Sequence, residues 1–205
     1  MILRYLCDPA NSITAFGHIC CAIGLYLALT GHPELGTAAV LWAWIADHLD
    51  GIVARRMRDR RSPEVAHFGK AFDGFADFVH GILFPSVVLV QIAAASPLAF
   101  PAVLALMLLG TTRLAYFDTF GLSTDGRFTG VPVSYNLPLL TGLVFLRPAV
   151  PPEIFPHLAC AAFLVLAGLH VTPAIRVPAI RERTFPLAAV LGGAASFVLA
   201  LALGS

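Results

Sequence analysis

Seven long apolar runs constrain this chain more than any other feature. They cover roughly residues 12–30, 35–54, 71–95, 98–117, 131–146, 155–171 and 185–203. An α-helix needs about 20 residues to cross the hydrocarbon core of a bilayer, a length the fifth and sixth runs fall short of. Backbone N–H and C=O groups find no water in hydrocarbon, so only helices and closed barrels can span it. Alternating barrel-type strands are absent. The expected fold is therefore an all-α integral membrane protein, a helical bundle of six to seven transmembrane helices in a single domain over residues 1–205. Composition agrees, with 58% hydrophobic residues, 12% charged residues and a mean hydropathy of +0.83. A soluble domain carries about 25% charged residues.

The basic residues set an orientation. With Arg4 placed in the cytoplasm, Arg55, Arg56, Arg58, Arg60, Arg61 and Lys70 follow on that side after the second run. Arg113 and Arg127 flank the loop after the fourth, and Arg176, Arg181 and Arg183 follow the sixth. Only Arg147 falls on the far side, so the positive-inside rule puts the N-terminus in the cytoplasm and the protein in the cell inner (plasma) membrane. The stretch 175–183, with alternating arginine and apolar residues, reads as a segment lying along the headgroups. A net charge of +1 and the lack of a soluble basic domain argue against a nucleic-acid partner. Cys7, Cys20, Cys21 and Cys160 match no zinc or CxxC spacing and are expected as reduced thiols. The N-terminal MILRYLCDPANS is expected to lead into a retained span rather than to be cleaved.

Against this apolar background, DHLDG at Asp47–Gly51 stands out. A carboxylate near the bilayer centre costs about 2.5–3.5 kcal/mol on insertion scales. Asp47 and Asp50 are three residues apart and share a helix face; Asp73 and Asp77, in GKAFDGFADFVH, are four apart and do the same. A tight connection between antiparallel helices would bring all four together, where they would repel one another. Two divalent cations relieve that repulsion, and all-oxygen ligands select hard ions: Mg²⁺, Mn²⁺ or Ca²⁺. Mg²⁺ favours a substrate phosphate as a further ligand, so the pattern suits a paired-metal site acting on a phosphate. Gly51, Ala54, Gly69, Gly74 and Ala76 leave room beside the backbone, for another group or for close helix packing.

These residues also resemble the signature of the CDP-alcohol phosphotransferase (CDP-alcohol phosphatidyltransferase) family, D-x-x-D-G-x-x-A-R followed by G-x-x-x-D-x-x-x-D. Asp47, Asp50, Gly51, Ala54, Arg55, Gly69, Asp73 and Asp77 occupy every fixed position. The thirteen-residue spacer, Arg56–Phe68, is longer than the family's usual one. PANSIT looks like the family's Pro-Asn-x-x-Thr start of the first span. TRLAYFD with GRFTGVP looks like the phosphatidylserine synthase branch, with Tyr116 and Asp118 where that branch usually has Arg and Asn. PVSYN at Pro132–Asn136 is also similar to bacterial phosphatidylcholine synthases.

The resemblance implies a reaction on the cytoplasmic side. CDP-diacylglycerol binds through its pyrophosphate to two divalent cations, a small alcohol attacks the β-phosphorus, and CMP leaves. Matched by position, Asp47, Asp50, Asp73 and Asp77 would hold the metals, and Asp77 would be the general base. Asp47, Gly51, Ala54 and Arg55 would contact the nucleotide, and a homodimer is expected. Phosphoryl transfer depends on positioning and charge neutralisation, and an alcohol needs an aligned base.

For the acceptor, L-serine is favoured. Arg113 or Arg127 could hold its carboxylate, and His80, three residues after Asp77, could contact the acceptor or tune the base. Choline would want an aromatic cage, which Tyr116, Phe117, Phe120 and Tyr135 could supply. Inositol phosphate or glycerol phosphate would need more basic contacts. A cation or proton transporter also uses intramembrane carboxylates, but does not need Gly51, Ala54 and Arg55 at fixed offsets. An intramembrane prenyltransferase places its aspartate motifs in distant helices, whereas here they are adjacent.

Overall fold

The computed structural model describes residues 2–179 and 182–202, so Arg181 and Leu203 lie outside the described residues. The long helices are α1 (Pro9–Leu29), α2 (Pro33–Arg56), α3 (Pro63–Ile92), α4 (Pro97–Phe120), α5 (Asn136–Leu146), α6 (Phe155–His170) and α7 (Phe185–Ala202). Each matches one apolar run of the sequence. α1, α3 and α4 are long and apolar enough to cross a membrane, while α6 and α7 are shorter apolar helices. α2 has the length, at 24 residues, but carries Glu34, Asp47, Asp50, Arg55 and Arg56. The chain is an all-α membrane protein made of two compact units, residues 1–77 with 180–205, and residues 78–179.

In the first unit, α1 starts where its sequence directs. Asp8 caps it by accepting from the Asn11 N–H at 3.2 Å, and Pro9 occupies the first turn, where its missing N–H costs nothing. The buried stripe of α1 is Ala10, Thr14, Gly17, Cys21, Gly24 and Ala28, a near-heptad run of small residues. Small side chains let two backbones approach, and α2 packs along this stripe with Ala43 and Ala46 beside Gly17. α7 covers another side of α2: the Ser196 hydroxyl donates to the Ala38 carbonyl at 2.8 Å, and Gly192 faces Ile45. The opposite side of α1 leaves Phe16, Ile19, Ile23 and Tyr26 exposed, as a lipid-facing helix requires.

The second unit is organised around a break in α3. Pro85 has no N–H, so it cannot bond the carbonyl four residues back, that of Gly81. The helix widens into a π-turn over Val79–Leu83, and the Asn136 amide donates to the Gly81 carbonyl at 2.7 Å. His170 holds Asn136 in turn, with Nε2 3.1 Å from Asn136 Oδ1 and Nδ1 2.8 Å from the Val131 carbonyl. Ile82, Phe84, Leu89, Leu106, Leu137, Leu140 and Phe163 form the buried core.

One element departs from the sequence reading. Within the stretch expected to lie along the headgroups, Arg176–Pro178 (β2) pairs antiparallel with Arg127–Thr129 (β1), Phe128 opposite Val177. Alternating arginine and apolar residues suit a strand as well as an interfacial segment, and the partner lies some fifty residues away, beyond any local pattern. Gly130 closes this ribbon with φ +74°, and a Cβ there would overlap the His170 carbonyl oxygen, so only glycine fits.

Candidate active site

The four motif aspartates belong to the first unit, Asp47 and Asp50 on α2, Asp73 and Asp77 on α3. Carboxylate oxygens of Asp47 and Asp77 lie within 4.8 Å of each other. Asp73 reaches Asp47 at hydrogen-bonding range, while its Oδ1 is buried with no hydrogen-bond partner among the described residues. Asp50 is 4% exposed and accepts a short bond from the Thr14 hydroxyl of α1. Carboxylates this close need a shared proton or a cation between them.

That arrangement meets what a divalent cation requires: several oxygen donors converging from two helices, with a buried oxygen left over. Asp47, Asp50, Asp73 and Asp77 would hold the metal. When bound it would neutralise the charge of a pyrophosphate and of the leaving phosphate.

Beside the carboxylates lies a cavity of about 270 Å³. Asp50, Gly51, Ala54 and Arg55 of α2 line one wall, and Ala66, Gly69, Lys70 and Asp73 of α3 another. α1 contributes Ala10, Asn11 and Thr14, and the spacer contributes Arg61. The nearest atom to a Cβ built on Gly51, beyond its own turn of backbone, is Arg55 Nη1 at 3.4 Å, so the Arg55 guanidinium lies against that glycine. Gly69 is different. A Cβ there would overlap Asn11 Oδ1 and come within 2.7 Å of Arg61 Nη2. This glycine makes room for a side-chain bridge between α1 and the spacer.

His48 is now placed as well. Its Nδ1 lies 2.8 Å from the Trp44 carbonyl one turn back and 3.2 Å from Asp47 Oδ2, with the ring tilted against Trp44. It supports Asp47 from within the same helix. Asn11, Thr14, Arg61 and Lys70 also line this cavity, and of these only Asn11 and Thr14 belong to a sequence motif, PANSIT. Nothing in the sequence separates Arg61 from its neighbouring arginines.

A family model of CDP-alcohol phosphatidyltransferase matches residues 9–203, nearly the whole chain and both units. The chain belongs to the CDP-alcohol phosphatidyltransferase family. No curated protein matches it. Membership makes it a transferase of phospholipid biosynthesis that uses a CDP-alcohol as donor, and the family works with divalent metal ions.

The residues expected to contact the acceptor belong to the second unit. His80 is fully buried at the π-turn of α3. Arg113 is 4% exposed, its guanidinium carbon 5.6 Å from the ring centres of both Phe117 and Phe128. It lines a second cavity of about 230 Å³ with Thr112, Tyr116, Thr129, Gly130 and His170. Arg127 is exposed and points elsewhere, 3.9 Å from Asp125, which Arg176 also meets at 3.2 Å.

Proposed function

We propose that this transferase moves a phosphatidyl group from CDP-diacylglycerol to the hydroxyl of L-serine, giving phosphatidylserine and CMP. The oxygen of serine forms a bond to the β-phosphorus as the bond from that phosphorus to the CMP oxygen breaks. Asp77 takes the hydroxyl proton. Asp47, Asp50, Asp73 and Asp77 hold two Mg²⁺ or Mn²⁺ ions, and Gly51, Ala54 and Arg55 receive the nucleotide in the cavity they line. The site faces the cytoplasm, as the distribution of arginines in the sequence favours.

The observation that carries the choice of acceptor is the buried Arg113. A cavity holding a guanidinium repels the quaternary cation of choline, even with Tyr116 in its wall. An acceptor with a phosphate would favour several cations, yet Arg127 and Arg176 both face Asp125. One guanidinium matches one carboxylate. Arg113 is thus the acceptor-selecting residue, and Arg127 is reassigned to the ribbon.

The test is an acceptor panel. Purified protein receives CDP-diacylglycerol, Mg²⁺ or Mn²⁺, and in turn serine, choline, inositol, glycerol phosphate and inositol phosphate. Metal-dependent CMP release with serine is expected. Release with choline or a phosphorylated acceptor but not with serine would overturn the assignment, and silence throughout would favour a transport role for the carboxylates.

A further inference from the structure

We propose that Arg61, at the end of the long spacer, is a phosphate-binding residue of the nucleotide cavity, held in position by Asp8 and Asn11. This rests on the reading of that cavity as the CDP site. The spacer carries Arg56, Arg58, Arg60 and Arg61, and only Arg61 turns inward: its side chain is 8% exposed, whereas the other three are exposed. It is clamped on one edge. Nε and Nη2 reach the two Asp8 oxygens at 3.2 and 3.0 Å, and Nη2 also donates to Asn11 Oδ1 at 2.7 Å. Asn11 is fixed in turn, donating to the Tyr5 carbonyl at 2.9 Å and reaching the Val65 carbonyl at 3.5 Å.

A guanidinium has five N–H donors. Three of Arg61's meet protein acceptors, and the two on Nη1 have none among the described residues. Arg61 lines the cavity while Asp8 and Asn11 hold its other edge, so its remaining donors can serve an oxyanion that enters there. The cavity's other walls say which ligand. Arg55 and Lys70 line the cavity and add positive charge. An oxyanion accepting from Arg61 suits a nucleotide phosphate. Asp8 serves two ends at once: it caps α1 and prevents the guanidinium from swinging out of the cavity. Gly69 is the third part of the device, since a side chain there would push Asn11 and Arg61 apart.

The experiment compares CMP with cytidine, which differ only by the phosphate. Binding of each to the solubilised full-length protein is measured by titration calorimetry at fixed Mg²⁺, for the wild type, Arg61→Gln, Arg61→Lys and Asp8→Asn. Arg61→Gln is expected to weaken CMP by about tenfold to hundredfold, the scale of hydrogen bonds to a charged group, and to leave cytidine unchanged. Arg61→Lys, which keeps the charge and loses the fork, should recover part of the CMP affinity. Asp8→Asn should give a smaller loss of the same kind. If Arg61→Gln fails to fold, Arg61→Lys against wild type makes the same comparison. Equal weakening of CMP and cytidine, or no weakening of either, overturns the role of Arg61. Wild-type protein that binds neither overturns the nucleotide reading itself, and this inference with it.

Discussion

The carboxylate-side cavity and the Arg113 cavity are built in opposite ways. The one in the first unit is lined chiefly by residues of a short stretch, Asp50 to Asp73, in which each fixed position already has a meaning in the sequence. The one in the second unit is drawn from three separate stretches, around Arg113, Gly130 and His170, which a two-stranded ribbon and the approach of the His170 carbonyl to Gly130 bring together. The first has four carboxylates nearby and two glycines, Gly51 and Gly69, in its wall. The second contains one guanidinium between two phenylalanine rings. On the proposed reading, chemistry common to many acceptors is written in a local motif, whereas a preference for one acceptor is left to long-range packing.

The sharpest way to break this comparison is at Asp77. Asp77→Asn should lower turnover by about 10²–10⁴, the usual contribution of a general base, with CMP binding intact. Substantial turnover would remove Asp77 from that role. Stripping the divalent ion with a chelator should abolish product, and re-addition should restore it. The same treatment should leave the fold of the second unit, followed by limited proteolysis, unaltered.

Arg113 tests the other cavity. Arg113→Gln should raise the KM for serine by about tenfold or more while CMP affinity stays constant, since an unmatched carboxylate loses a charge-assisted pair. Because Arg113 is buried, Arg113→Lys serves as the milder variant and should shift KM in the same direction. A matched loss of CMP affinity would blur the separation between the two cavities.

Gly69→Ala is expected to weaken CMP binding and lower stability by about 1–3 kcal/mol, the cost of forcing atoms into a filled space. Gly74→Ala, where a Cβ would meet nothing within 4 Å, is the control and should be nearly silent. The smallest effect belongs to Asp125. Its carboxyl is held below the ordinary range by the Ser123 hydroxyl and then by Arg176. A depressed value means the stabilisation is complete at neutral pH and disappears as pH falls through the folded value. Asp125→Asn should therefore change the melting temperature marginally at pH 7, and not at all once the wild-type carboxyl is protonated.

How much of this was legible beforehand follows the same division. The seven apolar runs located the helices because hydrophobic length is a local property, and the aspartate spacing located the carboxylates because i, i+3 and i, i+4 fix a shared face. The ribbon was not legible, since strands of three residues carry no pattern of their own. The Arg61 bridge was hidden for another reason: five arginines between positions 55 and 61 look alike until burial separates one from the rest. Pro85 stands inside the third apolar run, but that Asn136 would answer for the freed Gly81 carbonyl required a partner from another helix.

The length of α3 has a consequence for how reactants come and go. Its 30 residues measure about 45 Å, against a hydrocarbon layer of about 30 Å. The surplus falls at its N-terminal end, where Glu64, His67 and Lys70 are exposed, while the far end is apolar. On the proposed reading, ten residues of overhang would bring Asp73 and Asp77 close to the boundary of the oil. Water-soluble reactants could then exchange directly with the aqueous phase, while the acyl chains of the proposed donor stay in the lipid. A protein so arranged needs no channel, only a helix too long for its membrane.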